Sequence, residues 1–353
     1  MKDKLKKIRI WKNKYKAIKN FNQSKVVLDN VPIFSYIETT NMCNLHCAFC
    51  PRETVKRKQG LMKKEDFEAI VKKVHPYMLS ASLFYHGEPL LNKNLPYFVS
   101  LLNKYGIKSA ITTNALALTE DMSRKLLKSK LYNIHFSFDG INKEIYEKIR
   151  RGSNFEIVQK NILDFLRLKR ELKSKVRVII RITEMNLTRD KIPAFIKKWS
   201  SMPGVDYVQI DPLHDWAGQI DSKQFVQNLN KKIVRESSYC ILPWLGMDIL
   251  YNGDVFPCCM YEGEPYGNIL TDDIKNIWNN KRFVNLRKMI LKGKNNVPFC
   301  KDCTLNSAGD YFSGKQDKYF PFSLNTLKII SGVAKRKVKL NKPALFSKEI
   351  KNV

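Results

Sequence analysis

Eight residues, Cys43-Asn44-Leu45-His46-Cys47-Ala48-Phe49-Cys50, hold three cysteines. A thiolate is a soft ligand that suits zinc, copper(I) or an iron–sulfur cluster. A structural zinc site takes four protein ligands, usually as two close pairs, and no fourth cysteine or spaced histidine pair stands beside this run. Three thiolates suit a 4Fe–4S cube with one iron left open, because the usual cluster takes four. An open iron can bind a small molecule and hand it an electron. The bland alternative, a zinc loop or buried thiols, has the wrong spacing. A second thiol group lies late in the chain: Cys240, Cys258, Cys259, and Cys300-Lys301-Asp302-Cys303. Four thiolates close either a zinc site or a cubane, and ligand count alone does not separate the two.

Strands alternating with helices must position these groups. Pro32 to Thr40 reads as a strand entering the cysteine loop, followed by a helix over Lys64 to Met78 and a strand over Ala81 to Tyr85 that ends in His86-Gly87-Glu88-Pro89. A helix over Leu95 to Tyr105 and a strand over Lys108 to Thr113 come next, then a helix over Glu120 to Ser129 and a strand over Asn133 to Phe138. The series closes with a long helix over Phe155 to Leu172, a strand over Val176 to Thr183, a helix over Ile192 to Ser200 and a strand over Tyr207 to Asp211. This spacing means βαβ units and a parallel sheet, an α/β fold. In barrels built this way the loops after the strands carry the chemistry. The cysteine loop, His86 to Pro89, Asn114 and Ser137-Phe138-Asp139-Gly140 all fall there. From Ser237 the texture changes, and Asn252-Gly253 marks a hairpin between short strands.

The cysteine run resembles the cluster loop of the radical S-adenosylmethionine (SAM) enzymes, Cys-x3-Cys-x2-Cys with an aromatic before the last cysteine, here Phe49. The six βα units resemble that family's partial (β/α)6 TIM-like barrel. Gly87-Glu88-Pro89 resembles its Gly-Gly-Glu motif, in which glycines let the backbone approach SAM and the acid meets the SAM ammonium; His86 replaces the first glycine. Asn114 and Ser137 match polar positions near the SAM ribose and carboxylate, and Lys160 or Arg151 could pair with that carboxylate. A turn residue or a solvated charge is the plain alternative for each. Cys240 with Trp244, Asn252 to Cys258, Gly267-Asn268-Ile269, Trp278, and Cys300 with Cys303 resemble the small cysteine-rich SPASM/twitch region. The resemblance covers about residues 32–310 and implies one auxiliary 4Fe–4S cluster, held by Cys240, Cys258, Cys300 and Cys303 beside Cys43, Cys47 and Cys50 for the SAM cluster. Cys259 is read as a small buried residue, with a ligand role left open.

The family implies a reaction. An electron entering bound SAM releases a 5′-deoxyadenosyl radical, which removes hydrogen from an unactivated carbon, while the protein orients and excludes water. A fully thiolate-bound second cluster suits uptake of an electron from the substrate radical, so the net change is a two-electron oxidation. The expected substrate is a sugar-like or other small polar molecule, acidic or lipid-linked, with peptide modification as the alternative. His214 and Asp215, after the last strand, are candidates for taking a hydroxyl proton, against the plain reading of a turn with a stacked Trp216. A flavodoxin- or ferredoxin-type protein is the expected reductant.

The chain has 353 residues and is 44% hydrophobic, enough for one large domain and a smaller one. The expected units are a basic extension (1–31), the barrel (32–235), the auxiliary-cluster region (236–312) and a basic tail (313–353). Sixty-three Lys and Arg against 33 acids give a net charge of +30, which draws polyanions, an anionic membrane or an acidic substrate. The first 25 residues carry ten Lys or Arg and one acid, Asp3. Leu5, Ile8, Trp11, Tyr15, Ile18 and Phe21 recur there at helical spacing, an amphipathic basic helix that either packs on the main domain or lies on a membrane. No apolar run reaches a membrane span and no secretory signal appears, so the expected place is the cytoplasm, with peripheral contact at the inner membrane face as the added option. A rival class, a zinc-bound nucleic-acid-binding protein, would explain the charge and the late Cys-x2-Cys. It leaves the three-cysteine loop and the βα alternation unexplained, and no zinc finger or RRM signature supports it.

Overall fold

A computed structural model describes residues 2–140, 142–225, 240–301 and 303. The expected tail (313–353) and the expected boundary at 235/236 lie outside the described residues.

Six strands pair in chain order into one sheet: β1 (Phe34–Tyr36), β2 (Ser80–Ser82), β3 (Lys108–Thr113), β4 (Asn133–Ser137), β5 (Arg177–Glu184) and β6 (Tyr207–Pro212). Every neighbouring pair is parallel. Parallel neighbours need crossovers, supplied by α2 (Lys64–Val74), α3 (Leu95–Lys104), α4 (Glu120–Lys128), α5 (Lys143–Ile149) with α6 (Phe155–Glu171), and α7 (Ile192–Ser200). Among the described residues no ladder joins β1 to β6, so the sheet is an open, partial barrel.

The two faces of the sheet follow the period of two. Ala81, Ile111, Ile134, Phe136, Val178, Ile180 and Ile182 are buried in one core with Phe67, Phe98, Phe165 and Trp199 from the helices. The alternate set, Ser82, Thr112, His135, Ser137, Arg181 and Asp211, lines the concave face. In register, Thr112 stands opposite His135, Ser137 opposite Arg181, and Thr183 opposite Asp211.

Several ends are shorter than the sequence suggests. The first strand pairs with β2 only over Phe34–Tyr36, because the chain beyond it turns to the C-terminal unit. There Glu38 N donates to Ile249 O at 2.8 Å, and the antiparallel pair β7 (Asp248–Ile249) and β8 (Val255–Phe256) lies alongside β1. The Asn252-Gly253 turn of this hairpin is present, with Gly253 at φ +88. A short helix missed in the sequence, α5, starts at the Asn142 cap, whose side chain accepts from Ile145 N at 2.9 Å. It buries Tyr146 and Ile149 one turn apart.

The N-terminal segment is a helix, α1 (Lys2–Asn22). It docks through Asn13, Ala17, Ile18 and Asn20, with Phe21 edge-on to Trp244 at 5.4 Å. The expected apolar stripe therefore splits: Ile18 and Phe21 turn inward, whereas Ile8, Trp11 and Tyr15 turn outward.

Candidate functional site

The cysteine loop leaves the C-terminal end of β1 and is held by backbone. His46 N donates to Arg151 O and Ala48 N to Ile149 O, both at 2.9 Å, so the end of α5 forms a wall of the loop. Gly87 closes the other side. A Cβ there would sit 2.1 Å from Thr40 O and 2.7 Å from Met42 O, both backbone atoms. The need for glycine is thus set by the approach of the motif to the cysteine loop itself, with Glu88 N donating to Met42 O at 2.9 Å.

Glu88 faces this loop and is fully enclosed. Its Oε1 accepts from Thr113 Oγ1 (2.7 Å) and Leu90 N (3.0 Å), and its Oε2 from Asn114 N (2.8 Å). A carboxylate offers about four lone-pair sites, so one is left for a donor such as an ammonium. Burial pushes the Glu88 carboxyl up to about 6 against these hydrogen bonds and Arg150. Asn114 bridges to the loop: its Nδ2 donates to Asn44 Oδ1 at 2.9 Å and lies 3.9 Å from Cys43 Sγ.

The third wall was not foreseen. Arg150 points its guanidinium at Asp139, with Nε and Nη2 at 2.7 and 2.6 Å from Oδ2. Its Nη1 lies 3.6 Å from Cys47 Sγ, and its plane sits 5.2 Å from the Phe49 ring centre. Asp139 in turn accepts from Thr183 N on β5. Burial opposes the Arg150 cation, but Asp139, Cys47 and Tyr146 outweigh it and hold the charge in place. The sequence offers Lys160 or Arg151 for such a cation, with a solvated charge as the plain alternative for each. Arg151 is exposed, and Lys160 pairs with Asp164 one turn on at 2.7 Å, on the solvent face of α6. Arg151 meets the cysteine loop through its backbone carbonyl alone, and Lys160 is taken up by Asp164. The signal for Arg150 was the Tyr146/Ile149 spacing of α5, which places position 150 on the buried side.

The loop after β6 covers the site from above. Trp216 Nε1 donates to Phe49 O at 3.0 Å, and its ring lies edge-on to His86 at 5.9 Å. Asp215 Oδ1 accepts from Ala217 N at 3.1 Å, so this carboxylate shapes the turn. His214 lies near the concave face: burial would raise the Asp211 carboxyl, but Arg181, Gln209 and the ring of His214 together hold it below its usual range. Arg181 Nε reaches Asp211 Oδ2 at 2.7 Å and Gln209 Nε2 reaches Oδ1 at 2.6 Å. Ser137 ends β4 opposite this Arg181.

The late cysteines gather in a second group. The Cys258 thiol is pushed up first by burial, then by Cys259, Cys300, Asp248 and Cys240; Cys259 likewise by burial, Asp248, Cys303 and Cys240. Cys300 is raised by burial, Cys240 and Cys303. Each of the five thiols therefore bears on at least two of the others, Cys259 included. Tyr85 ties this group to the first site, its hydroxyl donating to Cys258 O at 3.1 Å. Beside it lies an ionic network: Arg57 pairs with buried Glu38 at 2.9 Å and with Glu262 at 3.4 Å, and His86 Nδ1 is 3.2 Å from Glu262 Oε1. Glu262 gave no signal in the sequence.

By donor type, three thiols in the first loop and five in the second group, both sets suit thiolate-bound clusters. In the first loop Cys43 and Cys50 each interact with Cys47, and burial, the main cause, pushes the Cys43 thiol up to about 11 and that of Cys50 above its usual value. Metal binding would have to displace these protons. Among the described residues, no three His, Cys, Asp or Glu side chains are set around a single ion. The buried Arg150 supplies a positive charge beside Cys47, where a thiolate cluster would bring negative charge.

Comparison with known proteins bears on both groups. The Radical SAM superfamily profile matches residues 37–211, and the iron–sulfur cluster-binding domain profile named SPASM matches residues 240–304. A probable GTP 3′,8-cyclase of Methanocaldococcus jannaschii is 25% identical over 313 residues, covering 79% of this chain and 96% of the relative. Among solved structures, BtrN in complex with AdoMet and 2-DOIA superposes with a TM-score of 0.54 at 20% identity, over 79% of this chain and 96% of that one. Streptococcus suis SuiB bound to its precursor peptide SuiA gives a TM-score of 0.59 at 16% identity, over 77% and 69%. At these identities the two structures speak for the fold alone.

Proposed function

We propose that this chain, which belongs to the radical SAM superfamily and carries a C-terminal SPASM domain, dehydrogenates a small polar, sugar-like substrate. The two domains imply a SAM-binding 4Fe–4S cluster and auxiliary iron–sulfur ligation. When bound, these groups supply a 5′-deoxyadenosyl radical and an electron acceptor. Cys43, Cys47 and Cys50 would hold the first cluster, and Cys240, Cys258, Cys300 and Cys303 the auxiliary one. Glu88, through its remaining lone pair, would take the SAM ammonium, and Asn114, Gly87, Phe49 and Ser137 would frame the rest. Asp215 fixes the turn that lays Trp216 over Phe49 and excludes water, and His214 is the group we assign to take the substrate's hydroxyl proton.

The observation that carries this reading is the polar concave face of the sheet over β4, β5 and β6. Arg181, Asp211, Gln209, Ser137 and His135 give a polar molecule donors and acceptors on a rigid sheet. A small hydroxylated substrate suits that floor better than an apolar peptide side chain would. The site expects a flavodoxin- or ferredoxin-type reductant.

The test separates the two thiol groups. Anaerobically reconstituted protein, reduced with dithionite in the presence of SAM, is expected to release 5′-deoxyadenosine. C300A/C303A should keep this release while losing iron and part of the broad absorption near 400 nm. C47A should lose the release. If C300A/C303A retains the wild-type iron content and absorption, the auxiliary assignment fails.

A further inference from the structure

The outer face of α1 has no role in the site described above, and it is not the face an ordinary docked helix shows. At about 100° per residue, the buried residues Asn13, Ala17 and Asn20 lie on one side, and buried Ile18, near the C-terminal end of the helix, borders the Trp11 arc. Ile8, Trp11 and Tyr15 fall within about 60° of one another on the opposite side. Lys12, Lys16 and Lys19 occupy the adjoining arc. Trp11 is 65% exposed, Tyr15 56% and Ile8 41%. The two aromatic rings stack on each other, centres 5.9 Å apart, which leaves their outer faces in water. Among the described residues the other exposed large apolar side chains are spread along the chain from Val27 to Ile210; here three share one stripe.

The basic arc is also shaped. Lys12, Lys16, Lys19 and Lys25, with Tyr15 and Asp29, line a shallow cleft of about 200 Å³ between α1 and the turn that follows it. Asp29 neutralises only Lys16, at 3.1 Å. Lys12, Lys19 and Lys25 have no acidic partner among the described residues.

We propose that this face is the surface by which the protein docks on an anionic lipid bilayer, with Ile8, Trp11 and Tyr15 entering the headgroup layer and Lys12, Lys19 and Lys25 meeting lipid phosphates. An aromatic–aliphatic row beside a lysine row is the composition of an interfacial helix, and Trp and Tyr favour the headgroup level, where a ring can be apolar on its faces and polar at its edge. Charge complementarity selects an anionic surface. Nucleic acid would account for the lysines and leave the stacked aromatic row unexplained. The inner face of the helix stays packed on the protein, so docking needs no unfolding of α1. The proposal is independent of the reaction.

Cosedimentation of the full chain with phosphatidylglycerol and phosphatidylcholine vesicles at about 0.15 M salt tests it. Binding to the first and not the second is expected. W11A/Y15A and K12E/K19E should each weaken binding at least about tenfold. Their melting temperatures should match wild type, since the four side chains lie on the solvent face. Absence of wild-type binding to phosphatidylglycerol overturns the proposal. So does unchanged affinity in W11A/Y15A, or complete displacement by a DNA duplex that binds W11A/Y15A as tightly as wild type; either would mean a charge-only surface.

Discussion

Arg150→Met is expected to cost about 3–5 kcal/mol of folding stability, the range for breaking a buried ion pair and stranding its partner. The stranded partner is Asp139, whose side chain is 1% exposed and which has Arg150 as its only cationic neighbour among the described residues. Two further losses accompany the charge: the guanidinium no longer reaches Cys47 Sγ or covers the Phe49 ring. The cysteine loop should therefore loosen along with the core. Urea unfolding of the metal-free protein gives the cost, and D139N/R150M gives its cause. The asparagine side chain of the double variant keeps an oxygen for Thr183 N and removes the unpaired charge, so this variant should recover at least about 2 kcal/mol. If it is no more stable than R150M alone, the loss comes from packing, and the ion pair is not what braces this wall.

How far this site could be read in advance depended on periodicity. The βα alternation was plain, and it placed the cysteine loop, Glu88, Asn114 and Ser137 at one edge, where they are found. For Lys160 the helix itself separates the two readings: Val158, Ile162 and Phe165 are buried, and at about 100° per residue position 160 lies on the far side of that stripe, as a solvated charge. Arg150 was missed because α5 spans only seven residues, too short for its pattern to stand out beside Asp139-Gly140. The concave face was legible in Arg177-Val178-Ile179-Ile180-Arg181-Ile182-Thr183, where Arg177, Arg181 and Thr183 fall at even spacings within an apolar run. Contacts such as Tyr85 with Cys258 or His86 with Glu262 span well over a hundred residues. No local pattern carries them; they exist because β1 continues into the C-terminal hairpin. For the same reason spacing singles out Cys258, and it does not show that Cys259 too neighbours Cys240 and Cys303.

That concave face makes a second large effect, in acid. His135 stands on β4 with Nδ1 buried and without a hydrogen-bond partner. Burial, then Arg181, outweigh Asp211 and push its ring down to about 3 from an ordinary value of 6.5. The folded chain thus holds the ring neutral while the unfolded chain protonates it below about pH 6.5. The unfolded state binds more protons, so stability falls as pH falls, and the loss levels off only near the folded value of about 3. A fully shifted group would give about 1.4 kcal/mol per pH unit. The concave face is partly open to water at this position, which brings the expected slope to about 0.7–1.4 kcal/mol per unit. His135→Gln cannot take the proton. Across pH 6 to 4, where carboxylate titration is common to both proteins, wild type should therefore lose stability relative to H135Q by about 1.3–2.5 kcal/mol, read from urea midpoints of the metal-free proteins. Parallel curves for the two proteins would mean that the ring charges within the fold. In that case Asp211 outweighs Arg181 and burial, and the polar floor of the barrel carries a titrating cation where the structure holds a neutral one.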